Sequence, residues 1–221
     1  MKTSRTRASA GGISPLCWNE YSNKLDCMDV DKHLAERVRN LRKAQGLTLE
    51  RLAEISGVSK SMISLIEREE TSPTAAVLDK LAGAFRISLP ALFSYEAQDA
   101  FALPLARVDT QPQWKDPESG YVRRHVSPPG FQSPMELVEV TFPAGKSVSF
   151  DSPTRGVTCH QLVWLLDGEM EITIDGKPWR LRSGDCLAMV LNRPISFRNP
   201  TRKAARYAIA LTAVSDLFRK F

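Results

Sequence analysis

Five polar side chains, four of them short hydroxyls, lie close together in the first third of the chain: Thr48, Ser59, Lys60, Ser61 and Ser64. They belong to "TLERLAEISGVSKSMISLIERE", two brief helical patterns separated by Gly57. Thr48 and Ser59 each precede a pattern, where a side-chain oxygen accepts an otherwise unpaired backbone N–H, and Gly57 supplies a C-terminal stop. The second helix therefore begins Ser-Lys-Ser, with no bulky apolar group on one side. Hydroxyl and amine groups at a helix amino end, where backbone N–H groups also point outward, suit phosphate oxygens and base edges in a DNA major groove. Two helices joined by a tight turn at "SGVS" provide the brace for such docking. Ser59 is also sufficient as a cap alone, and Lys60 as a solvated charge. Met62, Ile63 and Ile66 are placed for packing or for a thymine methyl.

These two helices need neighbours to hold them. From Asp31, the apolar positions Leu34, Val38 and Leu41 recur at helical spacing as far as Gly46. Thr74, following Pro73, opens a fourth helix through Val77, Leu78, Leu81 and Ala82, and Ser88 caps a short fifth ending near Phe93. Five short helices thus occupy roughly residues 31–95. Residues 96–119 are irregular and contain Pro104, Pro112 and Pro117, which reads as a linker packing in part on its neighbour.

Beyond the linker the period changes to two. "MELVEVTF", "QLVWLLDGEMEITIDGKPWRLRSGD" and "ARYAIALTAV" are strand-like, and "IDGK" carries an Asp-Gly hairpin turn. Short strands divided by turn residues predict a β-sandwich or barrel.

Composition narrows the class without deciding it. The 221 residues suffice for two small domains, and the net charge of +5 is compatible with a polyanionic partner. Between Met28 and Tyr95, however, ten Lys and Arg face nine Asp and Glu. Binding there requires a locally basic face and two copies, since one small module buries little interface. The prediction is a homodimer reading two half-sites roughly 34 Å apart. Four cysteines, Cys17, Cys27, Cys159 and Cys186, show no Cys-x-x-Cys spacing, which argues for a reducing cytoplasm without a disulfide framework or structural zinc. No apolar run approaches a membrane span and residues 1–27 lack a signal-peptide core, so the expected location is cytoplasmic, without a membrane partner. Residues 1–27 read as a disordered tail, with Met28 an alternative start.

"LRKAQGLTLERLAEISGVSKSMISLIEREETSPTAAVLDKLAGAF" resembles the Cro/C1-type (XRE) helix-turn-helix family through its Leu-Arg…Gly-Leu, Leu-Ala…Gly-Val-Ser, Ile-Glu-Arg and Pro-Thr positions. The resemblance implies that Lys60, Ser61 and Ser64 face base edges and that Thr48 and Ser59 sit near phosphates. Ile63 is either core or a methyl contact, and Arg42 with Glu67 matches a buried ion pair joining the first helix to the third. Leu49 departs from the Gln often found at its position, which puts a DNA contact there in doubt.

"VEVTFPAGKSVSF" and "HQLVWLLDGEMEITIDGKPWRLRSGDCLAMVLNRPISFRNP" resemble the small-barrel cupin family, through Asp167-Gly168, Gly184-Asp185, Pro194 and Asn199. Cupin metalloenzymes place two His, a Glu and a further His at positions that fall here at Thr154, Gly156, Gln161 and Ile195. With those ligands missing, no metal or cofactor is expected and no catalytic residues are assigned. Arg124, Gln161 and Cys159 are the candidate contacts for a small-molecule effector inside the barrel. The fold expected is multidomain α + β. Residues 1–27 form a tail, 28–95 a five-helix lambda-repressor-like DNA-binding domain, 96–119 a linker, and 120–221 an all-β cupin, a small jelly-roll barrel for effector sensing and dimerisation. The function implied is a non-enzymatic transcriptional regulator of a double-stranded DNA operator. The alternative is a metal-dependent oxygenase or epoxidase carrying a helix-turn-helix domain.

Overall fold

The computed structural model describes residues 30–87, 89–93, 103–131, 133–150 and 157–215. The amino-terminal tail, Met28 and the Ser88 cap lie outside the described residues, as do Thr154 and Gly156. Five helices come first: α1 (Val30–Ala44), α2 (Leu49–Ser56), α3 (Lys60–Glu67), α4 (Ala75–Phe85) and α5 (Leu89–Phe93). Their apolar stripes converge on one core in which Leu34, Val38, Leu52, Ile63, Leu78 and Leu81 are wholly buried. Gly57 ends α2 at φ 68°, the left-handed conformation that lets the chain reverse into α3.

Ten strands follow: β1 (Gln113–Lys115), β2 (Val122–His125), β3 (Glu136–Phe142), β4 (Ser147–Phe150), β5 (Val157–Asp167), β6 (Glu169–Ile174), β7 (Lys177–Arg182), β8 (Cys186–Val190), β9 (Ile195–Arg198) and β10 (Ala205–Ser215). They form a six-stranded antiparallel sheet, ordered β1-β2-β3-β10-β5-β8, and a four-stranded one, ordered β4-β9-β6-β7. The two sheets make a small double-sheet barrel, as the strand pattern predicts. Asp175 and Gly176, both at positive φ, turn the β6–β7 hairpin, as the Asp-Gly pair predicts. At the β5–β6 corner the backbone passes so close to β10 that a Cβ on Gly168 would lie 3.0 Å from the Ala205 Cα. Buried Asn199 fastens the opposite corner, its amide donating to the carbonyls of Phe142 and Lys203 and accepting from Thr201.

Residues 113–119, the end of the segment 96–119 read as linker from Pro104, Pro112 and Pro117, are built into the barrel. Trp114 and Asp116 are 3% and 2% exposed, and β1 completes the larger sheet against β2. The segment looks irregular because only three residues pair. Its role is to seat the helices: the Ala75 N–H at the amino end of α4 donates to Asp116 Oδ1 at 2.9 Å, and Trp114 packs on Phe93 of α5 with ring centroids 5.5 Å apart. A carboxylate at a helix amino end is favoured by the unpaired N–H groups and their dipoles. Helix α4 also packs on β4, and α1 on β1.

His125 lies in the crevice between the two parts, beside Trp114 and Phe93. Burial, reinforced by Arg123 and His33, pulls its pKa from 6.5 down to about 4. The fold therefore holds His125 neutral, and the corresponding stability is complete above pH 6.5 and is lost as pH falls towards 4. Urea denaturation across that window should show wild type losing roughly 3 kcal/mol more than His125→Gln. Parallel curves for the two proteins would contradict this assignment.

Candidate nucleic-acid interface and barrel cavity

Helix α3 turns Ile63 and Ile66 into the core, leaving Lys60 and Ser61 exposed and Ser64 half-buried on the opposite side. At 3.6 residues per turn these three share one face, extended by exposed Arg68 just past the helix end. Ser59 caps α3 by accepting the Met62 N–H at 3.2 Å, and its hydroxyl lies 3.2 Å from that of Ser61. Thr48 caps α2 in the same manner, accepting the Arg51 N–H at 3.1 Å. Both caps remain exposed, so capping and an outward role are compatible.

The cations of this surface each have an acid beside them. Lys60 Nζ is 2.5 Å from Glu50 Oε1, Arg51 pairs with Glu54, and Arg68 with Glu70. The hydrogen bond from Lys60 is the main cause that lowers the Glu50 pKa to about 2. Such exposed pairs contribute little to stability and exchange readily for another anion.

The second site is inside the barrel. A cavity offering ≈ 80 Å³ to the centre of a water-sized sphere lies between the two sheets. One water needs only ~10–15 Å³ by that measure, so there is room for a small organic molecule. Tyr121, Phe142, Phe197 and Tyr207 supply an aromatic wall, Gln161 and Arg123 its polar groups, and Asp79 of α4 with Leu89 of α5 reach it from the helical side. Burial raises the pKa of both tyrosines, which stay protonated.

The family model described as helix-turn-helix, HTH_3, matches residues 38–92. Control protein C.SmaI of Serratia marcescens is 42% identical over 67 residues, covering 30% of this chain and 80% of that protein. The chain belongs to the XRE-type helix-turn-helix family. The likeness extends through the barrel: the HTH-type transcriptional regulator SutR of Escherichia coli (strain K12) is 29% identical over 173 residues, covering 77% of this chain and 89% of SutR. A crystal structure of an HTH_3 family transcriptional regulator from Vibrio cholerae superposes with a TM-score of 0.62 at 26% identity, over 82% of this chain and 96% of that one.

Several expectations for this XRE-type chain need correction. Ile63, open between core and methyl contact, is wholly buried and takes the core role. Arg124 does not line the cavity. In the β2–β3 register it sits beside Glu139 on the outer face, bonded to that carboxylate at 2.5 Å and to Gln111 at 2.6 Å. Arg123, the preceding residue in β2, points inward instead. The signal was available: strand alternation places one of two adjacent arginines inside, and Glu139 marks the outer one. Gln161 is 6% exposed and lines the cavity, whereas Cys159 is fully buried two residues along β5 and falls outside the lining. Cys186 is exposed on β8, and among the described residues neither cysteine forms a disulfide. Of the positions aligned with cupin metal ligands, Gln161 carries an amide and Ile195 an alkyl group. Among the described residues no three His, Cys, Asp or Glu side chains converge.

What presents α3 is an ion pair behind it. Arg42 of α1 donates to both carboxylate oxygens of Glu67, at 2.6 and 2.8 Å, and to the Leu47 carbonyl at 3.0 Å, while Arg39 donates to the Glu67 carbonyl. The bond to Glu67 raises the Arg42 pKa, and Glu67 is only 6% exposed. Removing one partner strands a buried charge, whereas removing both does not. Arg42→Met should therefore cost about 3–5 kcal/mol in denaturant unfolding, and the double variant Arg42→Met/Glu67→Leu should recover most of it. Additive losses would contradict a paired brace.

Proposed function

We propose that the protein is a cytoplasmic, dimeric transcriptional regulator that reads an operator with α3 and senses a small molecule in its barrel. The reading rests on one observation above others: Arg42–Glu67 holds α3 with its Ser-Lys-Ser end outward, free of bulky apolar groups. Lys60, Ser61 and Ser64 then face the base edges, with Thr48 and Ser59 near phosphates at the two helix amino ends. Lys60 exchanges Glu50 for the nucleic acid. Because each exposed cation of this face has its own acid, non-specific attraction is weak and affinity depends on fit and on two copies.

Dimerisation is supported by the outer face of the larger sheet. Leu137, Ala210, Leu162 and Ala188 lie in one cross-strand row, with Ala208, Trp164 and Cys186 in the next. Leu137, Leu162 and Trp164 are 42%, 48% and 53% exposed among the described residues. A contiguous apolar patch flanked by the Arg124–Glu139 pair suits a second copy of the same face, in the two-fold arrangement that a paired half-site demands. Among the described residues no helix is long and apolar enough to cross a membrane. A metal-dependent oxygenase would need donors that Gln161 and Ile195 do not supply, which favours the regulator reading.

DNase footprinting upstream of the gene, followed by anisotropy titrations over a range of salt, tests this reading. Wild type should protect paired half-sites. Lys60→Ala should weaken binding to all sequences and reduce the salt slope by about one, and Ser64→Ala should relax preference at one base position by about 1–3 kcal/mol. Leu162→Glu should convert the dimer to a monomer with a single weak footprint. Wild-type behaviour in all three variants would overturn the reading.

A further inference from the structure

Inside the barrel one buried cation has donors without a hydrogen-bond partner, and the Glu136 carboxylate acts on it only from beyond bonding distance. Arg123 is 8% exposed, and its Nε and Nη2 have no hydrogen-bond partner. No ion pair reaches it among the described residues. Arg123 lines both the cavity and the adjoining crevice of His125, where its guanidinium carbon lies 5.0 Å from the centroid of the Phe93 ring. A buried cation held this way is costly, and the unused donors form a planar fork matched to a carboxylate.

Resting on the reading of the barrel as an effector-sensing domain, we propose that its cavity binds a small monocarboxylate with an apolar or aromatic body, anchored by the Arg123 guanidinium. Three observations narrow the ligand to this class. The unpaired donors belong to a single cation, because Arg193, the other arginine at the cavity, pairs with Asp175 at 2.6 Å. One carboxylate matches its unused donors, and the Asp79 carboxylate in the lining together with Glu136 near the arginine disfavours a second negative charge. The remaining wall is aromatic and aliphatic, with Gln161 as a further polar contact, so the body of the ligand is apolar and a diamine is excluded by charge.

The same arginine carries the signal out. Phe93 is the last residue of α5, and Trp114, which packs on it, continues through Tyr121 to Phe142 in the barrel, with centroids 5.6 and 5.7 Å apart. A carboxylate competes with the Phe93 ring for one guanidinium. Occupancy then biases how the helical domain sits, which is the differential contact that coupling requires.

Calorimetry and thermal melts of the full chain would use benzoate and butyrate, with benzamide, butyramide, butylamine and inorganic phosphate as controls. Saturable binding of a carboxylate is expected, with the amides roughly tenfold or more weaker. Arg123→Met should abolish it and melt no lower than wild type, because an uncompensated charge is removed. Arg123→Lys, which keeps the charge, should bind with affinity reduced by roughly tenfold. No saturable carboxylate binding, equal binding of the amides, preference for phosphate or amine, or unchanged binding by Arg123→Met would each overturn the assignment. DNA affinity measured in parallel separates the two readings. A carboxylate that binds through Arg123 without altering DNA affinity upholds the site and contradicts the sensing role.

Discussion

Asp116 joins the two halves of the molecule with one buried carboxylate. Its Oδ1 accepts the first free N–H of α4, and its Oδ2 accepts the backbone N–H and hydroxyl of Ser119, fixing the turn between β1 and β2. The barrel thereby caps a helix of the DNA-binding domain, and the cap is lost if either side moves away. Trp114, two residues earlier, adds an aromatic contact with Phe93 on the same seam. The helical part is held over the barrel where Asp79 and Leu89 reach the cavity. The barrel cavity, the cap of α4 and the seat of α5 are consequently parts of one packed arrangement.

Charge is disposed differently on the two sides of that seam. On the exposed side of α2 and α3, Lys60, Arg51 and Arg68 are already accompanied by acids, so their electrostatic contribution is small and interchangeable. Behind it Arg42 and Glu67 are buried and mutually satisfied, which makes the pair a structural fixture. Arg123 is buried and not satisfied. Desolvation lowers its pKa, and Tyr121, Glu136, Tyr207 and Cys159 offset that only in part.

The helices were legible in the sequence because each carries its own punctuation. Thr48, Ser59 and Thr74 cap α2, α3 and α4, and Gly57 stops α2, all through contacts within a few residues. Arg42 and Glu67 were legible by resemblance, though 25 residues apart. The strands after Glu136 followed from period-two alternation and the Asp175-Gly176 turn. What escaped was non-local. Three residues of β1 carry no periodicity, and Asp116 acquires its role only when α4 arrives beside it, 41 residues away in sequence. Choosing Arg124 over Arg123 was a parity error within one strand, and a one-residue slip exchanges the faces of a sheet. Cys159 faces inward with Gln161, yet alternation alone does not show where along β5 the cavity ends.

Native-state hydrogen exchange on wild type and Asp116→Ala tests most directly whether helices and barrel form one coupled unit. In wild type, the first turn of α4, β1 and α5 should exchange at a common rate close to that of the barrel core. Asp116→Ala should accelerate those three segments together while leaving the protection of β5 and β10 unchanged. A helical domain that opens well before the barrel in wild type, or a seam whose exchange is indifferent to the loss of Asp116, would contradict the account.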